Sequence, residues 1–206
     1  MQNKSFSLKP LCLTALLCAG GAAQAEITVY TSQAAFLAAV SNPGYDSYDD
    51  LSVMPYAPTL DRSAGTYGYQ AFSDAGLWGA GGAGGDYWLS NENGMQPIVF
   101  SNFTGGVSAF GGNFFTSNIA GQYATGNLVL TASDGTTLNY ALNGTTPTSF
   151  LGFVSDTGLS SVSVATDGAI IWPTANNVVL AVPEPGTYAM MLAGIGLLGV
   201  MARRRR

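Results

Sequence analysis

Leu128-Val129-Leu130-Thr131-Ala132-Ser133-Asp134-Gly135-Thr136-Thr137-Leu138-Asn139-Tyr140-Ala141-Leu142 carries alternating apolar side chains on both sides of an Asp-Gly turn, which is the signature of a β-hairpin with one buried face. Two registers compete. A two-residue Asp-Gly loop would set Leu130 opposite Asn139 and Leu128 opposite Ala141. A three-residue Ser133-Asp134-Gly135 loop, with Gly135 left-handed, sets Leu130 opposite Leu138 and Leu128 opposite Tyr140. Only the second gathers the large apolar groups on one face, so it is the register expected.

Outward from this hairpin the chain is rich in Gly, Ser, Thr, Asn and aromatic residues, with short alternating runs between turn signals. Strands are expected at 27–30, 45–51, 66–72, 97–100, 107–114, 150–154, 159–164 and 178–182. Together they predict an all-β body, an antiparallel β-sandwich of jelly-roll-like kind. One short helix interrupts the pattern. Thr31 or Ser32 can cap residues 33–40, where Phe36, Leu37 and Val40 form an apolar face before Pro43-Gly44 stops the helix, and this helix is expected to plug one end of the sandwich.

The two ends of the chain are of another kind. Lys4 and Lys9 precede an apolar run at 11–19, and small residues follow up to Ala23-Gln24-Ala25. That is the layout of a secretory signal peptide, with cleavage after Ala25 by signal peptidase leaving Glu26 first. Neither Cys12 nor Cys18 stands in a lipoprotein context. At the far end Pro183-Glu184-Pro185 is followed by an apolar stretch at 187–202 and by Arg203, Arg204, Arg205 and Arg206. Sixteen helical residues span about 24 Å, slightly short of a bilayer core, so a transmembrane helix here needs local thinning or arginine snorkelling. The four arginines hold the C-terminus in the cytoplasm and place the body beyond the inner membrane. Gly194-x-Gly196-x-x-Gly199 in this stretch matches a dinucleotide-binding fingerprint in letters only. It follows no strand and has no acidic residue downstream, and small residues in a membrane helix account for it.

The Pro183-Glu184-Pro185 tripeptide, the short membrane segment and the arginine cluster resemble, in that order, the PEP-CTERM sorting signal of Gram-negative bacteria that make exopolysaccharide. The resemblance implies recognition by exosortase, a membrane transpeptidase-like enzyme that cuts near the motif. It divides the chain into a signal peptide (1–25), a β-sandwich body (26–182) and a sorting tail (183–206). The body's Thr31-Ser32-Gln33-Ala34-Ala35-Phe36-Leu37, Ala109-Phe110-Gly111-Gly112-Asn113-Phe114 and Phe150-Leu151-Gly152-Phe153-Val154 resemble the sandwich bodies common among such proteins, which implies a fold and no reaction.

Composition narrows the chemistry. The chain has 206 residues, no histidine and two cysteines, both in the leader. The body therefore lacks thiols, disulfides and histidine-based triads or zinc sites. Between residues 26 and 182 eleven acidic residues face a single basic one, Arg62, for a net charge of about −10, which opposes binding of nucleic acid.

Three candidate sites follow. Asp49 and Asp50, in the acidic run that begins at Asp46, would hold Ca2+ if the fold brings Asn177 of the last strand beside them, since calcium takes carboxylate and amide oxygens. Trp78, Tyr87 and Trp88 flank the glycine-rich run 79–85, and on a mobile loop they would stack on sugar rings. A glycosidase would need paired carboxylates, such as Glu92 with Asp86 or Asp49 with Asp74, and their spacing selects neither pair. The expected function is accordingly that of a non-enzymatic, exported surface or matrix protein, processed by exosortase, passing transiently through the inner membrane and associated with exopolysaccharide in a biofilm. A carbohydrate- or calcium-binding recognition module is the alternative, and a carboxylate glycosidase the third reading.

Overall fold

A computed structural model describes residues 27–142, 149–168 and 170–183. The signal peptide with Ala23 and Ala25, and the tail from Glu184 and Pro185 through the apolar stretch to Arg203, Arg204, Arg205 and Arg206, lie outside the described residues. Among those described, no helix is long and apolar enough to cross a membrane.

Among the described residues fifteen strands and one α-helix form in chain order: β1 (Ile27–Tyr30), α1 (Gln33–Leu37), β2 (Val40–Asp46), β3 (Pro55–Tyr56), β4 (Thr59–Ala64), β5 (Tyr67–Phe72), β6 (Leu77–Gly81), β7 (Tyr87–Asn91), β8 (Ile98–Ser101), β9 (Ala109–Ser117), β10 (Tyr123–Ala124), β11 (Gly126–Ala132), β12 (Thr137–Leu142), β13 (Phe150–Ser155), β14 (Ser161–Thr166) and β15 (Trp172–Pro183). The larger, nine-stranded sheet runs β1-β13-β9-β15-β7-β6-β3, with β10 beside β9 and β2 beside β15, and the smaller sheet runs β12-β11-β14-β8-β5-β4. Every pairing is antiparallel.

The hairpin adopts the three-residue register. Leu130 pairs with Leu138 and Leu128 with Tyr140, and Gly135 turns at φ 90. Leu128 and Leu130 are fully buried. The sheets meet face to face: Phe100 of β8 lies 5.1 Å from Phe110 and 6.3 Å from Phe114 of β9, ring centre to ring centre. Two antiparallel sheets around one core bear out the all-β expectation at that level.

The central strands of the larger sheet are buried on both faces, which erases the alternation expected of a one-sided strand. Along β9 only Asn113 is partly exposed. One end of the outer face is covered by α1, capped by Ser32. Phe36 and Val40 form a second apolar cluster with Ala109, Phe150, Val179 and Ala181. The helix thus lies on the sheet instead of plugging the sandwich, and it ends at Leu37, because Pro43-Gly44 belongs to β2. The strand expected at 45–51 likewise occupies 40–46, and a turn follows.

The largest departure is at 76–94, expected as a mobile loop. It is the hairpin β6–β7, with Trp78 opposite Ser90 and Ala80 opposite Trp88. Its glycine run is turn chemistry, with Gly81 at φ 84 and Gly82 at φ 92, backbone that side-chain-bearing residues rarely adopt.

Candidate functional site

The far end of the larger sheet's outer face carries a cleft. Trp78 of β6, Ser90 of β7, Trp172 of β15 and Ser117 of β9 line it from below, the pairs Trp78–Ser90 and Trp172–Ser117 being direct cross-strand neighbours. The 118–122 loop between β9 and β10 closes one side. Asn118 Oδ1 accepts from the backbone N–H groups of Ala120 (2.9 Å) and Gln122 (3.0 Å), which folds the loop tightly. Gly121 then approaches the sheet so closely that a Cβ there would lie 3.1 Å from the Ala80 methyl. The open cleft has a volume of about 400 Å³, within the range of small-molecule sites.

Polar groups collect on the floor. The hydroxyls of Ser117 and Thr174 are 2.8 Å apart, and that of Thr174 donates to Ser90 Oγ at 3.4 Å. Asn91, almost wholly buried, donates through Nδ2 to Ser73 Oγ and to the Gln96 carbonyl, whereas its Oδ1 has no partner. Glu92 is exposed and is the one carboxylate in the lining. Among the described residues no hydrogen bond or ion pair engages its carboxylate or the indole N–H of Trp78 or Trp172.

A second constellation forms where β2, β4 and β5 meet. Arg62 presents its fork to two carboxylates. Nε and Nη2 donate to Asp46 at 2.9 and 2.6 Å, and Nη1 and Nη2 donate to Asp50 at 2.7 Å each. Asp46 also accepts from the Tyr69 hydroxyl at 2.6 Å, and that hydroxyl is 2.7 Å from the Tyr48 hydroxyl. The guanidinium carbon sits 5.1 Å from the centre of the Tyr48 ring, cation–π distance. Burial pushes the Tyr48 and Tyr69 hydroxyls well above the ordinary tyrosine pKa, and the Asp46 charge adds to it. Burial alone would lower the Arg62 pKa, but the hydrogen bonds it donates to Asp50 and Asp46 outweigh it and hold the guanidinium charged. Bonding to Arg62 holds Asp50 below the usual carboxylate range.

The structure does bring the acidic run to the last strand, since Asp46 pairs with Val178. The side chains there have other partners. Both oxygens of Asp50 go to Arg62. Asp49 Oδ1 accepts from the backbone N–H of Tyr87 at 3.3 Å. Asn177 stands at φ 49 in a bulge of β15, and its N–H is held by Asn176 Oδ1, while Asn176 Nδ2 donates to Asp86. The bulge lies where β15 exchanges β7 for β2 along the same edge. Among the described residues no group of three His, Cys, Asp or Glu side chains is arranged to hold a metal ion. Sequence reasoning missed Arg62 as the organiser of this cluster, although its being the body's one cation was the available signal.

The three aromatic candidates separate. Trp78 reaches the cleft. Trp88 is buried edge-on against Phe115, with ring centres 5.3 Å apart. Tyr87 lies over Gly82, whose Cβ would come 3.0 Å from the tyrosine ring. Trp172, which the sequence did not single out, takes the place beside Trp78.

The start of the tail is part of the body. Pro183 ends β15 opposite Val40, and its carbonyl accepts from Ser41 Oγ at 3.4 Å. No curated protein matches the chain. Residues 181–206 match the PEP-CTERM protein-sorting motif, which marks an exosortase-sorted protein that is exported through a membrane-anchored precursor.

Proposed function

We propose that this protein is a non-enzymatic component of the cell surface or extracellular matrix, released or attached after exosortase processing and associated with exopolysaccharide in a biofilm. The observation that carries the reading is the continuity of β15 with the sorting motif. The match begins at residue 181, where the strand is still paired with β9 and β2, so the folded body is itself the cargo of the signal. In this reading residues 1–25 are removed on export, 26–182 act outside, and Arg203 to Arg206 orient the precursor.

Two features of the body support a non-catalytic role. It has neither histidine nor cysteine, and the cleft contains one carboxylate where glycoside hydrolysis by paired acids needs two. The test is the intact mass and location of the mature protein in a Gram-negative host with and without exosortase. A species starting at Glu26 and ending near Pro185, dependent on exosortase, is the expected result. An uncut tail in both hosts would leave an ordinary membrane-anchored protein and remove the link to matrix.

A further inference from the structure

We propose that the cleft between the 118–122 loop and the outer face of the larger sheet binds a short stretch of a neutral saccharide, with Trp78 and Trp172 as stacking platforms. This deepens the polysaccharide reading above and takes its ligand class from it, while the site itself rests on three observations.

The first is the pairing of partly exposed indoles with unengaged polar groups. A pyranose has an apolar face of C–H groups and a rim of hydroxyls, so a site for it needs aromatic faces beside donors and acceptors that lie close by. Trp78 and Trp172 give the faces. Their unengaged N–H groups are donors and the exposed Glu92 carboxylate is an acceptor, with the unpartnered Asn91 Oδ1 in the same lining, whereas the Ser90 and Ser117 hydroxyls are buried and held by Pro173 and Thr174.

The second is that a core explanation, which accounts for Trp88, covers only part of Trp78, whose ring packs against the core with one side while remaining partly exposed, and does not cover Trp172. Trp88 is packed on Phe115 and nearly inaccessible. Trp78 and Trp172 line open space of about 400 Å³. The 118–122 loop, tied by Asn118 and seated through Gly121 on Ala80, keeps that space from collapsing.

The third observation decides the charge of the ligand. Recognition of a uronate, sulfate or phosphate sugar calls for Arg or Lys. From residue 26 to 182 the only basic side chain is Arg62, and Asp46 and Asp50 engage all three of its guanidinium nitrogens. With Glu92 at the rim and a net negative body, an acidic polymer meets repulsion without compensation. The saccharide is therefore neutral.

Affinity electrophoresis of the exported chain through gels containing hydroxyethylcellulose, dextran or galactomannan, with alginate as the acidic polymer, tests this. Retardation is expected in at least one neutral gel and none in alginate. Trp78→Ala and Trp172→Ala should each weaken it roughly tenfold. Tyr45→Ala, which removes an exposed aromatic outside the cleft, should leave it unchanged. Should the tryptophan variants fail to fold, the wild-type chain still decides, because titration with oligosaccharides of the retarding polymer must change tryptophan emission. Retardation that survives both substitutions, or binding with no change in emission, overturns the cleft and leaves the polysaccharide association standing. No retardation in any neutral gel overturns both. Preference for alginate overturns the neutral ligand. Concentration-dependent self-association that is lost with Trp78→Ala, without saccharide binding, would make this surface a protein interface and also overturn the proposal.

Discussion

Gly111 and Gly152 stand directly opposite each other in the β9–β13 pairing, and the ring of Phe36 lies on both. A Cβ on Gly152 would come 2.9 Å from Phe36 Cδ2, and one on Gly111 would come 3.2 Å from Phe36 Cζ and 2.6 Å from Phe150 Cζ. The glycine pair is a flat seat that lets α1 lie against the sheet, which explains why glycines interrupt two otherwise apolar strands.

Gly152→Ala should therefore lower stability by about 1–3 kcal/mol through overpacking, and Phe36→Ala by about 3–5 kcal/mol through cavity formation. Because the two act on the same contact, adding Gly152→Ala to Phe36→Ala should cost much less than it does alone. Urea unfolding of the three variants measures this, and additive losses would show that Phe36 is not what fills the space above Gly152.

Arg62→Ala should destabilise by about 3–5 kcal/mol, since it strands the buried Asp46 carboxylate. Arg62→Lys should recover little of that, because an ammonium cannot engage two carboxylates edge-on. Thermal melts of both variants give the comparison.

Asp46 and Asp50 share the same arginine but not the same burial, their side chains being 4% and 66% exposed. Asp50→Asn should thus cost under about 1 kcal/mol, as solvent screens an exposed ion pair, while Asp46→Asn should cost several times more. The depressed pKa of Asp50 works in the same direction on acidification. Its contribution is present above the ordinary carboxylate value of 3.8 and is lost as pH falls below it, so wild type but not Asp50→Asn should lose this small increment in melts at acid pH.

Tyr48 and Tyr69 predict the alkaline limit. Burial raises both hydroxyl pKa values, so their stabilisation of the fold is full below the ordinary tyrosine value of 10.0 and is lost as pH rises above it. The slope is about 1.4 kcal/mol per pH unit for each tyrosine. Unfolding curves should be flat up to about pH 9 and fall steeply past about pH 10, and Tyr48→Phe should halve the slope.

Replacing Pro183, Glu184 and Pro185 by alanine should trap or misroute the precursor while leaving the body folded, because β15 pairs along 172–183 mainly through backbone. Normal size and yield outside the cell would refute the role of the tripeptide. Deleting Arg203 to Arg206 should weaken the orientation of the tail, seen as altered processing.

The hairpin at 128–142, the strands near 67–72, 98–101, 150–155 and 161–166, and a helix cap at Thr31 or Ser32 were all legible because each depends on neighbours in the chain. Side-chain alternation reports one buried face, and a three-residue loop with a left-handed glycine sets one register. Where both faces are covered, as along β9 and β15, alternation disappears and strand limits blur. Glycine masked β6 and β7 in the same way, since residues needed for the turn at 81–85 gave the whole segment the look of a loop.

By itself the sequence determined the sorting motif at the C-terminal end, the absence of thiol and imidazole chemistry from residues 26–182, the all-β class and the hairpin register, because local pattern and composition are sufficient for those. Tertiary structure alone decided that Asp50 faces Arg62, that Trp88 is buried against Phe115 while Trp78 and Trp172 share a cleft, and that Asn177 shapes a bulge. These outcomes depend on which distant strands become neighbours. Partners such as Asp86 and Asn176, ninety positions apart, are joined by sheet order, which no local periodicity encodes.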